Sequence, residues 1–467
     1  MRRNSDWQFS SDVARKTIKH LQDMGADQVE AFCLATRTTE VTIRNSEIFG
    51  ENEVEDIGVS FRTATPDKRV GFACTNIVNT EKDVLEAGKK ALSIARLSPS
   101  VSDFTLPIKL KMPTARGLFD EAVVNATVED AVDVACRLIK SVEDVDRRVT
   151  AKAGQVSFSH ARRSVVNSFG VDAESEETRV FAYVYGSGSQ GAEITPSCLD
   201  FEMKRNLHLD PENIGNTVGR LVLSQFNPKP VDSFEGTVIF EPNAVSNQLF
   251  EALSNALNGE NVAAGSSPWT KKLDEPVASE TLNVADNGLL EGGFASRDFD
   301  DEGFPSRKTD VISRGKLNSF LLDATSANKL KMPNTGNASR FAEQSDMASQ
   351  IIGGGYKAKP TVHPSNLMIM PGGKTKDDLI AEVDNGILVG EMAGFVQAGS
   401  GLISAQLIRA HYIKNGTLQH PIKGAMISGV AFDWFKQVDA VANDLKQSFN
   451  SVVPSIRVRN VKIIGSR

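Results

Sequence analysis

Turn chemistry sets the kind of fold this chain can adopt. Thr65-Pro66-Asp67, the corner 167–170 ending in Gly170, and Asn415-Gly416 each separate two strand-like runs. Proline presets one turn dihedral, and Asn followed by glycine accepts the tight geometry that joins antiparallel neighbours. The flanking runs, such as 57–63, 70–74, 149–159, 178–185 and 402–413, are rich in β-branched and aromatic residues. Helical periodicity falls between such runs, at 11–24, 80–97, 128–141, 242–257 and 431–444. Thr80 and Asp83 approximate a capping box, and Asp210-Pro211-Glu212 opens a helix running to about 223. The pattern predicts a multi-domain α+β protein. Its N-terminal half is α/β with an antiparallel meander, and its C-terminal domain is a twisted, mainly antiparallel sheet with few helices.

A chain of 467 residues is too long for one small core. The stretch 226–236 has two prolines and no helical period, which makes it the preferred boundary. The expected domains are 1–105, 106–228 and 229–467. A net charge of −7, with no face obviously rich in Lys and Arg, argues against a nucleic-acid partner. No run approaches 18 apolar residues, so no membrane-spanning helix is expected. The N-terminus is polar, without the apolar core of a signal peptide, and the four scattered cysteines suit a reducing compartment. A cytoplasmic location is the expectation.

The stretch 242–257 reads as one amphipathic helix, with proline in its first turn and Gly259 as the C′ residue. Val245, Leu249, Ala252, Leu253 and Ala256 form its buried stripe. It contains F-E-A-L-S-N, Phe250 to Asn255. Metalloprotease chemistry needs two histidines on one helix face, a third ligand and a glutamate base. None of the six histidines lies three to five residues from another, and no cysteine follows Cys198. Metal catalysis by this chain alone is therefore not expected.

The second unusual stretch is 296–323, where Asp298, Asp300, Asp301 and Glu302 crowd ahead of Gly303. Paired carboxylates can serve hydrolysis or hold calcium, but neither spacing is diagnostic, and a solvated turn is the expectation. A hairpin around Arg314-Gly315 should follow it. Thr335-Gly336-Asn337 and Gly353-Gly354-Gly355 are loops that either let backbone approach a ligand or simply connect. The G-S-G-S-Q-G run at 186–191 lacks the helix that a dinucleotide site requires.

Several blocks together resemble the TldD/PmbA family, once called modulators of DNA gyrase. They are G-V-S-F-R within 58–72, the stretch 238–259, D-D-E-G and R-G-K-L-N-S-F-L within 297–323, N-G-I-L-V-G-E from Asn385, P-I-K-G from Pro421 and N-D-L from Asn443. The resemblance covers nearly the whole chain. TldD-type members carry H-E-x-x-x-H where this chain has Phe250, Glu251 and Asn255, and a later cysteine joins their metal site. PmbA-type members, also called TldE, lack these ligands and are similar to this chain. The resemblance implies a peptidase complex in which this chain holds no cofactor. Zinc or another divalent metal would sit in a TldD-type partner, in a heterodimer, with a homodimer as the alternative. It also implies unfolded or extended peptide as substrate. The candidate peptide contacts are Asp301, Glu302, Gly303, Thr335, Gly336 and Asn337. The alternatives are a self-sufficient homodimeric hydrolase using Asp300, Asp301 or Glu302, and a non-enzymatic binding protein in the gyrase-modulator role.

Overall fold

A computed structural model describes residues 4–340 and 355–466 of the chain. Its N-terminal layer is one antiparallel sheet built on two very long hairpins. Strands β1 (Gln28–Arg44) and β2 (Glu47–Ala64) form the first. After β3 (Val70–Thr75), β4 (Val149–Asn167) and β5 (Asp172–Gln190) form the second. β1 pairs with β4 from Glu30 opposite Asn167 to Arg44 opposite Ala153, so the sheet runs unbroken across position 105. β6 (Cys198–Lys204) adds an edge beyond β5.

Alternation divides the sheet chemically. Odd-numbered residues of β1, such as Val29, Ala31, Val41 and Ile43, are buried under helices. These helices are α1 (Asn4–Asp23) and α2 (Glu81–Leu97) at one end, and α3 (Val128–Glu143) and α4 (Pro211–Leu223) at the other. Thr80 with Asp83 and Thr127 with Asp130 close full capping boxes. Even-numbered residues, Glu30, Phe32 and Leu34, face the C-terminal half, where Phe32 and Leu34 cluster with Phe299 and Tyr356.

The C-terminal half packs helices against two sheets. β7 (Phe234–Phe240) opens it, followed by the helices α5 (Phe250–Leu257) and α6 (Gly259–Ala264). A six-stranded sheet includes β8 (Val284–Asn287), β9 (Lys308–Ser313) and β10 (Leu367–Ile369). In the other, β11 (Asn385–Gln397), β12 (Leu402–Lys414), β13 (Met426–Val430), β14 (Ile456–Ile464) and β7 pair in turn until β7 meets β11 again, closing a ring. Only the β7–β11 pairing of that ring is parallel. The largest apolar core lies between this ring and α5. Asn415 and Gly416 both take positive φ, 49° and 72°, as do Arg314 and Gly315, so both expected hairpins form through left-handed turns.

One expected helix gives way to strand part-way. Of 431–444, only α7 (Ala431–Lys436) is helical, and Val438–Val441 pairs with β14. Pairing of β-branched residues at a free sheet position outweighs helical periodicity there. No helix among the described residues is long and apolar enough to cross a membrane.

Candidate functional site

The stretch 242–257 is helical throughout but not one regular helix. A turn at Pro242–Ala244 leads into a π-helical turn at Val245–Leu249, and α5 follows. The Phe250 N–H donates to Val245 O, five residues back. The extra residue rotates everything after it, so Val245, Leu249, Leu253 and Leu257 stay buried. Gly259 is not the C′ residue. Asn258 ends α5 and caps α6, and the left-handed glycine is Gly265 with φ of 75°. Gly259 is there for close approach: its N–H donates to Leu321 O at 2.8 Å, and a Cβ would meet the same oxygen at 2.6 Å.

The residues at the motif positions do not fit a metal. Phe250 is half-buried against the main core, and Glu251 is exposed. The Asn255 carbonyl accepts from the Asn258 N–H and from Asn261 Nδ2, each at 3.3 Å. Just past the N-D-L block stands Lys446, whose ammonium pairs with Asp200 and lies 4.3 Å from the Phe201 ring centre. A phenyl ring, an amide and an ammonium offer no soft or imidazole donor. Among the described residues, no three His, Cys, Asp or Glu side chains gather in a metal-binding group. His411, on β12, hydrogen-bonds the Ser224 carbonyl at 2.9 Å, and burial pushes its pKa down.

The acidic stretch is the reverse of the expected solvated turn. Asp300, Asp301 and Glu302 are buried, with Asp300 and Glu302 at 0% exposure. The sequence places them on a tight turn at Gly303, φ 80°, which the N-terminal sheet covers. Asp300 Oδ1 accepts from the N–H groups of Glu302 and Phe304, and its Oδ2 from Ala338 N–H. Asp301 meets Arg163 of β4 at 3.0 Å and Arg297 at 3.4 Å, and accepts from the Arg340 N–H at 2.7 Å. Glu302 accepts from Arg62 of β2 at 2.7 Å and from the Ala324 N–H at 3.0 Å. Arg62 also reaches Glu30 of β1 at 2.7 Å, and Arg340 pairs with Glu30 from the other side. Glu177 of β5 is shared by Arg163, Arg179 and Arg205. Desolvation and pairing compete at each carboxyl. Burial pushes Asp300 up to about 7 and Glu302 up to about 8. Burial would also raise Glu177, but its three arginines hold it well below the usual range. Asp301 is lowered too, because Arg297 and Arg163 overcome burial.

Thr335, Gly336 and Asn337 are buried beside this cluster. Asn337 Nδ2 donates to Asp286 Oδ2 at 2.7 Å and to the His363 carbonyl at 3.1 Å, while Thr335 Oγ1 donates to Asn337 Oδ1 at 2.7 Å. Gly336 has φ of 77°, and a Cβ would meet Pro305 O at 2.9 Å. All six candidate peptide contacts thus face the interior, and the side chains of Asp301, Glu302, Thr335 and Asn337 are bonded inside the chain. Of the other loop glycines, Gly355 is buried, and Gly353 and Gly354 lie outside the described residues.

Three family profiles match in order: PmbA/TldA metallopeptidase domain 1 over residues 29–95, its central domain over 122–226 and its C-terminal domain over 233–465. The chain belongs to the TldD/PmbA family. A metalloprotease of Methanocaldococcus jannaschii is 28% identical over 386 residues, 81% of each chain. Metalloprotease PmbA of Escherichia coli O157:H7 is 24% identical over 369 residues, 74% of this chain and 72% of its own. The crystal structure of TldE from Thermococcus kodakarensis superposes with a TM-score of 0.86 at 25% identity, covering 97% of this chain and all of that one.

Sequence reasoning misses the arginines that organise this TldD/PmbA chain. Arg62 ends the G-V-S-F-R block and Arg340 follows Thr335-Gly336-Asn337, but these two, Arg163 and Arg205 come from distant segments, and nothing local marks any of them as the partner of a buried carboxylate. One signal exists. Glu30 follows Val29 and precedes Ala31 and Phe32 in a strand otherwise suited to burial on both faces, which asks for a buried cation.

Proposed function

We propose that this chain is the metal-free subunit of a TldD/PmbA-type protease that acts on unfolded or extended peptide in the cytoplasm. Its metal-bearing relative, with H-E-x-x-x-H, supplies the zinc or other divalent metal and the hydrolytic step. The observation that carries this reading is α5. The π-turn and the buried stripe build a well-packed helix, yet the positions that would face a metal hold Phe250 and Asn255. Glu251 remains as an exposed carboxylate beside positions that offer no metal donor.

The buried turn contributes indirectly. Asp301, Glu302, Gly303, Thr335, Gly336 and Asn337 brace the loops around the junction of the two halves, and peptide is held by backbone pairing in front of them. Hydrolysis by Asp300, Asp301 or Glu302 is disfavoured, because each already meets arginine or backbone N–H groups away from solvent. The test is to purify the chain alone and together with a co-expressed H-E-x-x-x-H relative, then measure zinc content and cleavage of an unstructured peptide. Cleavage by the pair, with neither metal nor activity in the chain alone, is expected. Stoichiometric zinc and robust cleavage by the chain alone would sink the proposal.

A further inference from the structure

The run N-G-I-L-V-G-E ends in Glu391, whose carboxylate has no part in the clusters described above. β11 is irregular there: Glu391 lies opposite Arg409 of β12, and the register shifts on both sides of it. Arg409 is already taken. Its Nη1 donates to Glu241 Oε2 at 2.6 Å, and its guanidinium lies across Gly390, where a Cβ would meet it at 2.1 Å. The Glu391 side chain is half-buried, yet among the described residues it has neither a hydrogen bond nor an ion pair. Burial raises its pKa against the opposing pull of Arg409. Glu30, Glu177, Glu241, Asp301 and Glu302, by contrast, each meet an arginine. A carboxylate held part-way out of water without a cation is prepared to receive one.

Aromatic rings stand beside it. On β5, residues 181, 183 and 185 share the face toward the C-terminal half, where the Phe181 ring lies 5.9 Å from that of Phe449. Tyr183 and Tyr185 meet edge to face, with centroids 5.8 Å apart. Both are half-buried, and neither hydroxyl has a hydrogen-bond partner among the described residues. Burial, and then the charge of Glu391, raise the pKa of Tyr185. The same charge acts on Cys198, which is paired with Gly186, the next residue of the strand. Glu391 thus lies at the Tyr185 end of the pair. Two residues beyond Arg409, the bond from His411 to the Ser224 carbonyl ties β12 to the N-terminal half.

We propose that Glu391, Tyr183 and Tyr185 form a subsite for one cationic group of a bound peptide, an α-ammonium or a lysine side chain. The carboxylate supplies the counter-charge, and the tyrosine rings attract the cation through their faces. A neutral residue gains nothing there, so the subsite sets a preference within backbone pairing that otherwise tolerates any sequence. The inference rests on the reading of this chain as a peptide-holding subunit.

The test measures binding of short, unstructured glycine–serine peptides, labelled at the C-terminus, to the full chain by fluorescence anisotropy. One carries a central lysine and an acetylated N-terminus, one a central norleucine and an acetylated N-terminus, and one norleucine with a free N-terminus. A cationic peptide should bind about 10-fold more tightly than the neutral one, and which of the two does so identifies the cation. Glu391→Gln should abolish that preference. Its thermal melt and its affinity for the neutral peptide should not change, because the carboxylate has no partner to lose. Glu55→Gln makes the same charge change at an exposed position of β2 and should leave the preference intact. Equal binding of all three peptides by the wild-type chain overturns the subsite and leaves the peptide-holding reading standing. So does a preference that Glu391→Gln retains, or one that Glu55→Gln also erases. Binding of none of the peptides overturns both.

Discussion

Replacing Glu302 by glutamine tests whether burial or Arg62 governs that carboxyl. Glu302 is fully buried, and burial sets its pKa at about 8 despite the 2.7 Å contact with Arg62. An unfolded glutamate titrates at about 4.3. Between those values the folded chain holds a proton that the unfolded chain has lost. Stability is therefore fully present below about pH 4 and falls as pH rises towards 8. For one such group the loss between pH 5 and pH 8 is about 3–4 kcal/mol. Asp300, pushed up to about 7 by burial, acts in the same direction. The amide in Glu302→Gln is neutral at every pH, so the advantage of the variant over wild type should grow by about 3–4 kcal/mol across that window. Urea unfolding followed by circular dichroism at pH 5, 6, 7 and 8 measures this, with equal m-values as the control. Parallel curves, or a variant that loses ground as pH rises, would show that Arg62 keeps Glu302 ionised and that the argument from burial is wrong.

Arg163→Met removes a buried cation shared by Glu177 and Asp301, and should cost about 3–5 kcal/mol in denaturant unfolding because two carboxylates lose their counter-charge. A loss below about 1 kcal/mol would mean that Arg205 and Arg297 compensate fully. Gly58→Ala would place a Cβ 2.2 Å from the Tyr356 ring, whose hydroxyl hydrogen-bonds Asp56. A cost of about 1–3 kcal/mol is expected, and an unchanged melting temperature would disprove that contact. Phe250→His combined with Asn255→His supplies two imidazoles, but Lys446 and Asp200 already occupy each other. Zinc retained after dialysis should stay well below one per chain; full retention would reveal a third ligand.

How much of this is legible in the sequence differs by range of interaction. The turns at Asn415-Gly416 and Arg314-Gly315, and the cap at Thr80, are local chemistry, and each appears where the sequence places it. The strands are longer than their sequence suggests, because polar, exposed residues such as Glu51 to Glu55 look like loop. Pairing with β1 carries β2 straight through them. The helix expected at 431–444 fails at Val438, where an open pairing position on β14 decides the outcome. The acidic turn fails for a deeper reason. Whether Asp301 is solvated or buried depends on Arg163, which is 138 residues away and indistinguishable in sequence from the partly exposed Arg162 beside it.

That last failure bears on function. In one dimension, Asp298 to Glu302 resembles a cation site because carboxylates are dense. In three dimensions, the Arg62 guanidinium meets Glu302, those of Arg163 and Arg297 meet Asp301, and the Arg340 backbone N–H donates to Asp301. A divalent cation entering there would have to displace guanidinium groups that cannot lose their charge, in a medium that screens repulsion poorly. The cluster therefore selects against metal while holding the turn to β1, β2 and β4. Removing any one partner would leave a buried charge uncompensated, so its members position one another tightly even if the network adds little net stability. The acidic turn and α5 thus fit a metal poorly for different reasons, the first because arginine and backbone N–H groups already engage its carboxyls and the second because Phe250 and Asn255 stand where donors would. What the scaffold retains is shape, and shape is what the proposed role, holding peptide for another chain's chemistry, would require.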